Sequence, residues 1–116
     1  MTKIVFYKSG GVFYGFEEQG HTGYGESGDD ILCAALSSMT MLIINAIEVA
    51  YASEADYIID EKTADIKLIA RGAIHDEDEK KRYAISGLLT AYYYQLNDLT
   101  EEYYDFLEVE AQEKPI

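Results

Sequence analysis

The run Ile31–Ile47, ILCAALSSMTMLIINAI, constrains this chain more than any other segment. As a membrane span it sits at the bottom of the length range, and Ser37, Ser38, Thr40 and Asn45 make it too polar. It therefore reads as a helix over about Ile31–Tyr51. Being apolar nearly all round, that helix is expected to be the central, buried one. Asp29 and Asp30 stand just before it. A carboxylate there accepts the free backbone N–H groups of a first turn, so Asp30 is expected to be the N-cap.

The other segments must pack around this helix. Lys3–Tyr7 (KIVFY) and Val12–Phe16 (VFYGF) are β-branched and aromatic runs separated by Ser9-Gly10-Gly11, which predicts a hairpin. Alternation puts Ile4 and Phe6 on one face, and Val12, Tyr14 and Phe16 on one face. A second hairpin is predicted from Ala55–Glu61 and Asp65–Arg71, turning near Lys62-Thr63-Ala64. Asp76–Glu79 (DEDE) opens a second helix, where acidic residues suit the positive end of the dipole. Ile85, Leu88, Leu89, Tyr92, Leu96 and Leu99 share its stripe. Asp105–Ala111 either extends that helix or returns as an edge strand, and its alternation favours the strand. The order is β-β-α-β-β-α with a possible C-terminal strand. Hairpins joined by helices give an α+β fold, an antiparallel sheet with helices packed on it. The 116 residues, with their only proline at position 115, predict a single domain over 1–116.

Charge and thiol count narrow the function. The chain carries 9 basic and 22 acidic residues, a net charge of −13. Nucleic-acid backbone binding needs clustered Lys and Arg, so no nucleic-acid partner is expected. Acidity keeps a protein soluble and also attracts basic partners. The single cysteine, Cys33, cannot form an internal disulfide, which fits a reducing compartment. MTKIVFYKSGG lacks the apolar core of a signal peptide. A cytoplasmic protein without a membrane partner is expected.

The chemistry concentrates in GHTGYGESGDDILCAALS, Gly20–Ser37. It holds His21, Cys33 and four of the nine glycines. A thiol becomes a good nucleophile when ionised, and both a helix N-terminus and a nearby histidine favour the thiolate. With Asp30 as N-cap, Cys33 falls in the first helical turn, where backbone N–H groups could hold an oxyanion. The glycine loop could bring His21 to the sulfur. Against this, a cysteine beside Ala34, Ala35 and Leu36 is often a small buried side chain. Composition and spacing leave both readings open.

The pattern itself goes further. Gly20-His21-x-Gly23-Tyr24 followed by Gly28-x-Asp30-Ile31-x-Cys33-Ala34-Ala35-x-Ser37 resembles the signature of the Prp family, bacterial ribosomal-processing cysteine proteases. Eleven positions in eighteen match. Chain length and element order are similar to the family's too. Tyr103-Tyr104 departs from the Tyr-Pro that members often carry before the last strand. The resemblance implies a cysteine endopeptidase that removes the N-terminal extension of ribosomal protein bL27 after a pair of aromatic residues. It implies Cys33 as nucleophile, His21 as general base, a homodimer, and no cofactor. Asp30 either caps the helix or orients His21 as a supporting catalytic residue. Gly20, Gly23, Tyr24, Gly28 and Ser37 are candidate substrate-binding positions. Ser37 could donate to the sulfur or bond back to the carbonyl of Cys33.

Two other classes compete. One is a non-catalytic ribosome-assembly factor whose loop grips a basic ribosomal-protein peptide. The other is a redox sensor, disfavoured because no second, resolving cysteine exists. His75 beside Asp76–Glu79 fits a solvated helix start better than a metal site, so no metal is expected. Tyr92 fits a helical core or dimer seam better than a base-stacking platform.

Overall fold

The computed structural model describes residues 1–20, 27–60, 62–63 and 65–116, the stretch 27–30 by its backbone alone. The elements run β1 (Thr2–Ser9), β2 (Val12–Gln19), α1 (Ser27–Asn45), β3 (Asp56–Ile59), β4 (Ile66–Ile69), α2 (Gly72–His75), α3 (Glu79–Glu102) and β5 (Leu107–Glu113). A wider π-helical turn over Ala46–Ala50 continues α1. The α+β class and the order of the main elements are as expected, and the C-terminal strand forms. The short helix α2 is additional.

Gly10 and Gly11 turn the first hairpin at φ +58° and +81°, a backbone that glycine adopts without a Cβ clash. Ile4 and Phe6 are fully buried on the inner face of the sheet. The expectation that Val12, Tyr14 and Phe16 share a face fails. The pairing steps from Tyr7↔Gly15 to Lys8↔Phe13, which leaves Tyr14 as an extra residue, a β-bulge. Phe13 thereby joins Phe16 on the inner face and packs on Phe6 and Tyr93, with ring centroids 5.8 and 4.8 Å apart. Tyr14 turns to the outer face and stacks on Tyr7. Its hydroxyl donates to the Lys114 carbonyl at 2.6 Å, which ties the C-terminus to the hairpin.

The sheet order is β3-β4-β2-β1-β5. All pairs are antiparallel except β1 with β5, which are parallel from Thr2↔Leu107 to Lys8↔Glu113. The expected antiparallel sheet is thus mixed at one edge. The 24 residues of α3 span roughly 36 Å. They return the chain to the end of the sheet where β1 begins, so β5 runs the same way.

Helix α3 buries the expected stripe: Ile85, Leu89, Tyr92 and Leu96 are buried, Leu88 and Leu99 half-buried. Asp78 caps it, accepting from the Lys80 N–H at 2.9 Å. Helix α1 differs from expectation. Among the described side chains of α1 and its π turn, Leu32, Leu36, Thr40, Ile43, Ile44 and Ile47 are buried, while Ile31, Met41, Leu42 and Val49 are exposed. One side of α1 meets the core and the other meets solvent, so an all-round apolar sequence does not make it central. By length and composition alone Ile31–Ala50 could cross a membrane. Its buried stripe, and the bonds of Thr40 to β2 and α3, instead place it on the protein's own core.

On the outer face Tyr7 donates to Glu17 at 2.7 Å. Burial and this bond push the Tyr7 hydroxyl up to about 12, and the same bond holds the Glu17 carboxyl below its usual range. Ionising Tyr7 is thus harder in the folded chain than in the unfolded one. Its contribution is complete below the ordinary value of 10.0 and is lost as pH rises through about 12. Denaturant titrations across that window should show a steeper alkaline loss of stability in the wild type than in Tyr7→Phe. Parallel curves would mean that Tyr7 is not linked to folding.

Candidate active site

Strand register defines the end of the sheet that leads to Gly20. Lys3 pairs with Gln19, Glu18 with Ile66, Ile66 with Ile59, and Thr2 with Leu107. The starts of β1, β4 and β5 and the ends of β2 and β3 therefore lie together. Strand β2 ends here at Gln19, next to Gly20, and α1 begins at Ser27.

Gly20 is fixed at the mouth of the loop. Its N–H donates to Asp65 at 3.1 Å, and its φ is +81°. A Cβ there would lie 2.5 Å from the Met1 carbonyl oxygen. Gly20→Ala should cost at least about 1–2 kcal/mol for the left-handed backbone alone, before the clash. A urea midpoint equal to wild type would show that the mouth of the loop relaxes instead. His21, Gly23 and Tyr24 lie outside the described residues, as does the Asp30 side chain.

Helix α1 starts at Ser27, so two expectations change. Asp30 lies inside the first turn and is not the N-cap. Cys33 lies in the second turn, not the first. The free N–H groups of a helix all precede its fourth residue, here Asp30. In a regular helix the Cys33 N–H bonds within the helix to the carbonyl of Asp29, four residues back, so it is no oxyanion donor. The helix dipole also fades beyond the first turn. The physical reason is local. Ser27, Asp29 and Asp30 are all good first-turn residues, and they carry Gly28 into the helix. Cys33 is half-buried, Leu32 and Leu36 beside it are buried, and Ser37 is exposed one turn on.

A buried polar cluster lies beneath this end, and the sequence reasoning missed it. Glu18 on β2 is fully buried. Its Oε1 accepts from Tyr92 Oη of α3 at 2.7 Å and from Thr40 Oγ1 of α1 at 3.0 Å. The two hydroxyls are 3.3 Å apart. Burial, and then the Glu18 charge, push the Tyr92 hydroxyl far above its ordinary value. Thr40 lies about two turns, roughly 10 Å, along α1 from Cys33. The cluster joins the strand that leads to His21 with the helix that carries Cys33. The signal was available: alternation puts Glu18 on the same face as Phe16.

A concavity of about 640 Å³ lies elsewhere. It is lined by Ser9, Val12, Ile74 and Tyr83, at the opposite end of the hairpin. His75 is exposed at the end of α2, just before the acidic start of α3, where Asp78 is the N-cap. Tyr92 belongs to the core, as expected.

The model of the cysteine protease Prp family matches residues 1–108. This chain belongs to the Prp family. It is accordingly a cysteine protease, and Cys33 is its one cysteine. Among solved structures, SMU.848 of Streptococcus mutans is similar at 29% identity and a TM-score of 0.82, covering 98% of this chain and 96% of that one. The essential ribosomal processing protease Prp of S. aureus, in complex with a substrate peptide, is similar at 18% identity and TM-score 0.80, over 97% of this chain and 100% of that one. The same S. aureus protease with a covalently linked product peptide gives 20% and 0.77, over the same shares. Nothing among curated proteins matches.

Proposed function

We propose that this Prp-family protease removes the N-terminal extension of ribosomal protein bL27 in the cytoplasm. The observation that carries the reading is the family match over residues 1–108, together with the Gly20–Ser37 signature inside it. In this mechanism Cys33 attacks the scissile carbonyl, and His21 takes the thiol proton and passes it to the leaving amine. Water then hydrolyses the Cys33 thioester, which frees the cleaved extension as a carboxylate and restores the thiol. The position of Cys33 in the second turn of α1 supports a larger share for His21, because the dipole helps little there. Asp30 is assigned a supporting role toward His21. Gly20, Gly23, Tyr24, Gly28 and Ser37 shape the substrate channel. The net charge of −13 supports a basic substrate, whose approach it would accelerate. The apolar residues exposed on α1, Ile31, Met41, Leu42 and Val49, support a homodimer closed on that face.

The test is a synthetic peptide that spans the bL27 extension and the first residues of the mature protein, followed by mass spectrometry. Cleavage after the aromatic pair by the wild type is expected. An intact peptide after prolonged incubation would sink the reading.

A further inference from the structure

We infer that the outer edge of β3 is a docking strand for an extended basic peptide, which adds to the sheet as a sixth strand. This deepens the proposed function, on which it rests, by placing a substrate subsite.

Strand β3 ends the sheet, and its four residues are all exposed. Its hydrogen bonds are assigned by alternation. The Asp60 N–H donates to the Asp65 carbonyl at 2.9 Å. In an antiparallel ladder every second residue bonds its neighbour, so Asp56 and Ile58 also face β4. The N–H and C=O groups of Tyr57 and Ile59 therefore point outward to the open edge. An open edge is a template for another strand. Charged or proline-blocked edges are protected from this, but β3 presents Tyr57, Ile58 and Ile59, exposed by 43%, 72% and 42%. Tyr57 and Ile59 pair with the buried Leu68 and Ile66, so an added strand would extend the lip of the core.

Charge decides the occupant. Glu54, Asp56, Asp60, Glu61 and Asp65 surround β3 in sequence, against Lys62 and Lys67. A second copy pairing antiparallel about Ile58 would set Asp56 opposite Asp60 of its twin, and like charges opposed across strands destabilise the pair. A strand with Lys or Arg meets the opposite situation. On the outer face a concavity of about 230 Å³ is lined by Glu17, Asp60, Asp65, Ile58 and Lys67 beside this edge. It can receive a basic side chain of the docked strand. Position agrees, since Ile59 is at the end of the sheet where β2 ends next to Gly20.

The test uses the full-length Cys33→Ala protein and the synthetic peptide above, labelled with fluorescein. Hydrogen exchange should show the Tyr57 and Ile59 amides slowed on peptide addition, with Asp56 and Ile58 little changed. Tyr57→Pro, which removes an outward N–H and no bond to β4, should weaken binding roughly three- to tenfold, the worth of one backbone hydrogen bond. Asp56→Asn should weaken it too, and the difference should shrink at high salt. Binding without slowed exchange at Tyr57 and Ile59 overturns the docking strand, even if the wild type cleaves the peptide. No binding at all overturns it as well. Slowed exchange with no cleavage by the wild type would uphold the docking strand and sink the bL27 reading. Unaltered peptide affinity with a dimer that dissociates in Tyr57→Pro would assign the edge to a second copy.

Discussion

Cys33→Ala is expected to lower cleavage of the bL27 peptide by on the order of 10⁴-fold or more, the scale seen when a protease loses its nucleophile. Stability should barely change. Cys33 is half-buried, and removing one sulfur there should cost about 1 kcal/mol or less. The pairing of a large kinetic loss with an unchanged urea midpoint separates this outcome from unfolding. His21→Ala should lose nearly as much, since base and nucleophile act as a unit and their losses do not add. A second readout comes from alkylation. The place of Cys33 beyond the first turn of α1 leaves little help from the helix dipole. The pH at which iodoacetamide reaction accelerates should therefore rise in His21→Ala. An unchanged alkylation profile would remove His21 from the mechanism, and undiminished cleavage by Cys33→Ala would remove the thiol.

How much of this was readable in the sequence differs by element, for physical reasons. Helix α3 was legible because its apolar residues recur at the helical period, and Ile85, Leu89, Tyr92 and Leu96 are the buried ones. The facing of α1 was not, because its sequence is apolar on every side and periodicity has nothing to select. Leu36 and Leu42 look alike in sequence, yet Leu36 is buried and Leu42 exposed. The first hairpin was legible through its glycines, but the bulge at Tyr14 was not, since Phe13, Tyr14 and Phe16 are equally good on either face. The alternation of β5 signalled a strand without saying which neighbour it would join or in which direction.

The site shows the same division. The Gly20–Ser37 signature named Cys33 and His21 without any fold. The helix start was misplaced because Ser27 and Asp30 are both strong first-turn residues, and Gly28 argued for a longer loop. A shift of four residues, from Ile31 to Ser27, moved Cys33 out of the first turn and weakened the argument for backbone oxyanion donors. The Glu18 cluster needed three distant segments together, β2, α1 and α3. Only alternation along β2 hinted at it.

That cluster carries the largest expected effect on stability. Tyr92 is buried, and its ring packs on Phe6 and Phe16 at 5.7 and 5.2 Å. Tyr92→Ala removes this packing and the hydroxyl together, and should cost about 3–5 kcal/mol. Tyr92→Phe keeps the ring and removes only the donor to Glu18, with an expected cost of about 1–3 kcal/mol. Thr40→Val removes the other donor. If the three oxygens act as one unit, the double variant Tyr92→Phe/Thr40→Val will depart from additivity by about 0.5–3 kcal/mol. Strict additivity in urea denaturation would mean two independent bonds to one carboxylate. The functional consequence follows from connectivity. Glu18 stands two residues before Gly20, and Thr40 two turns from Cys33, so loosening the cluster loosens the frame between the proposed base and nucleophile. Tyr92→Phe, assayed where it is still fully folded, should cleave the peptide more slowly than wild type. An equal rate would confine the cluster to holding α1 and α3 on the sheet.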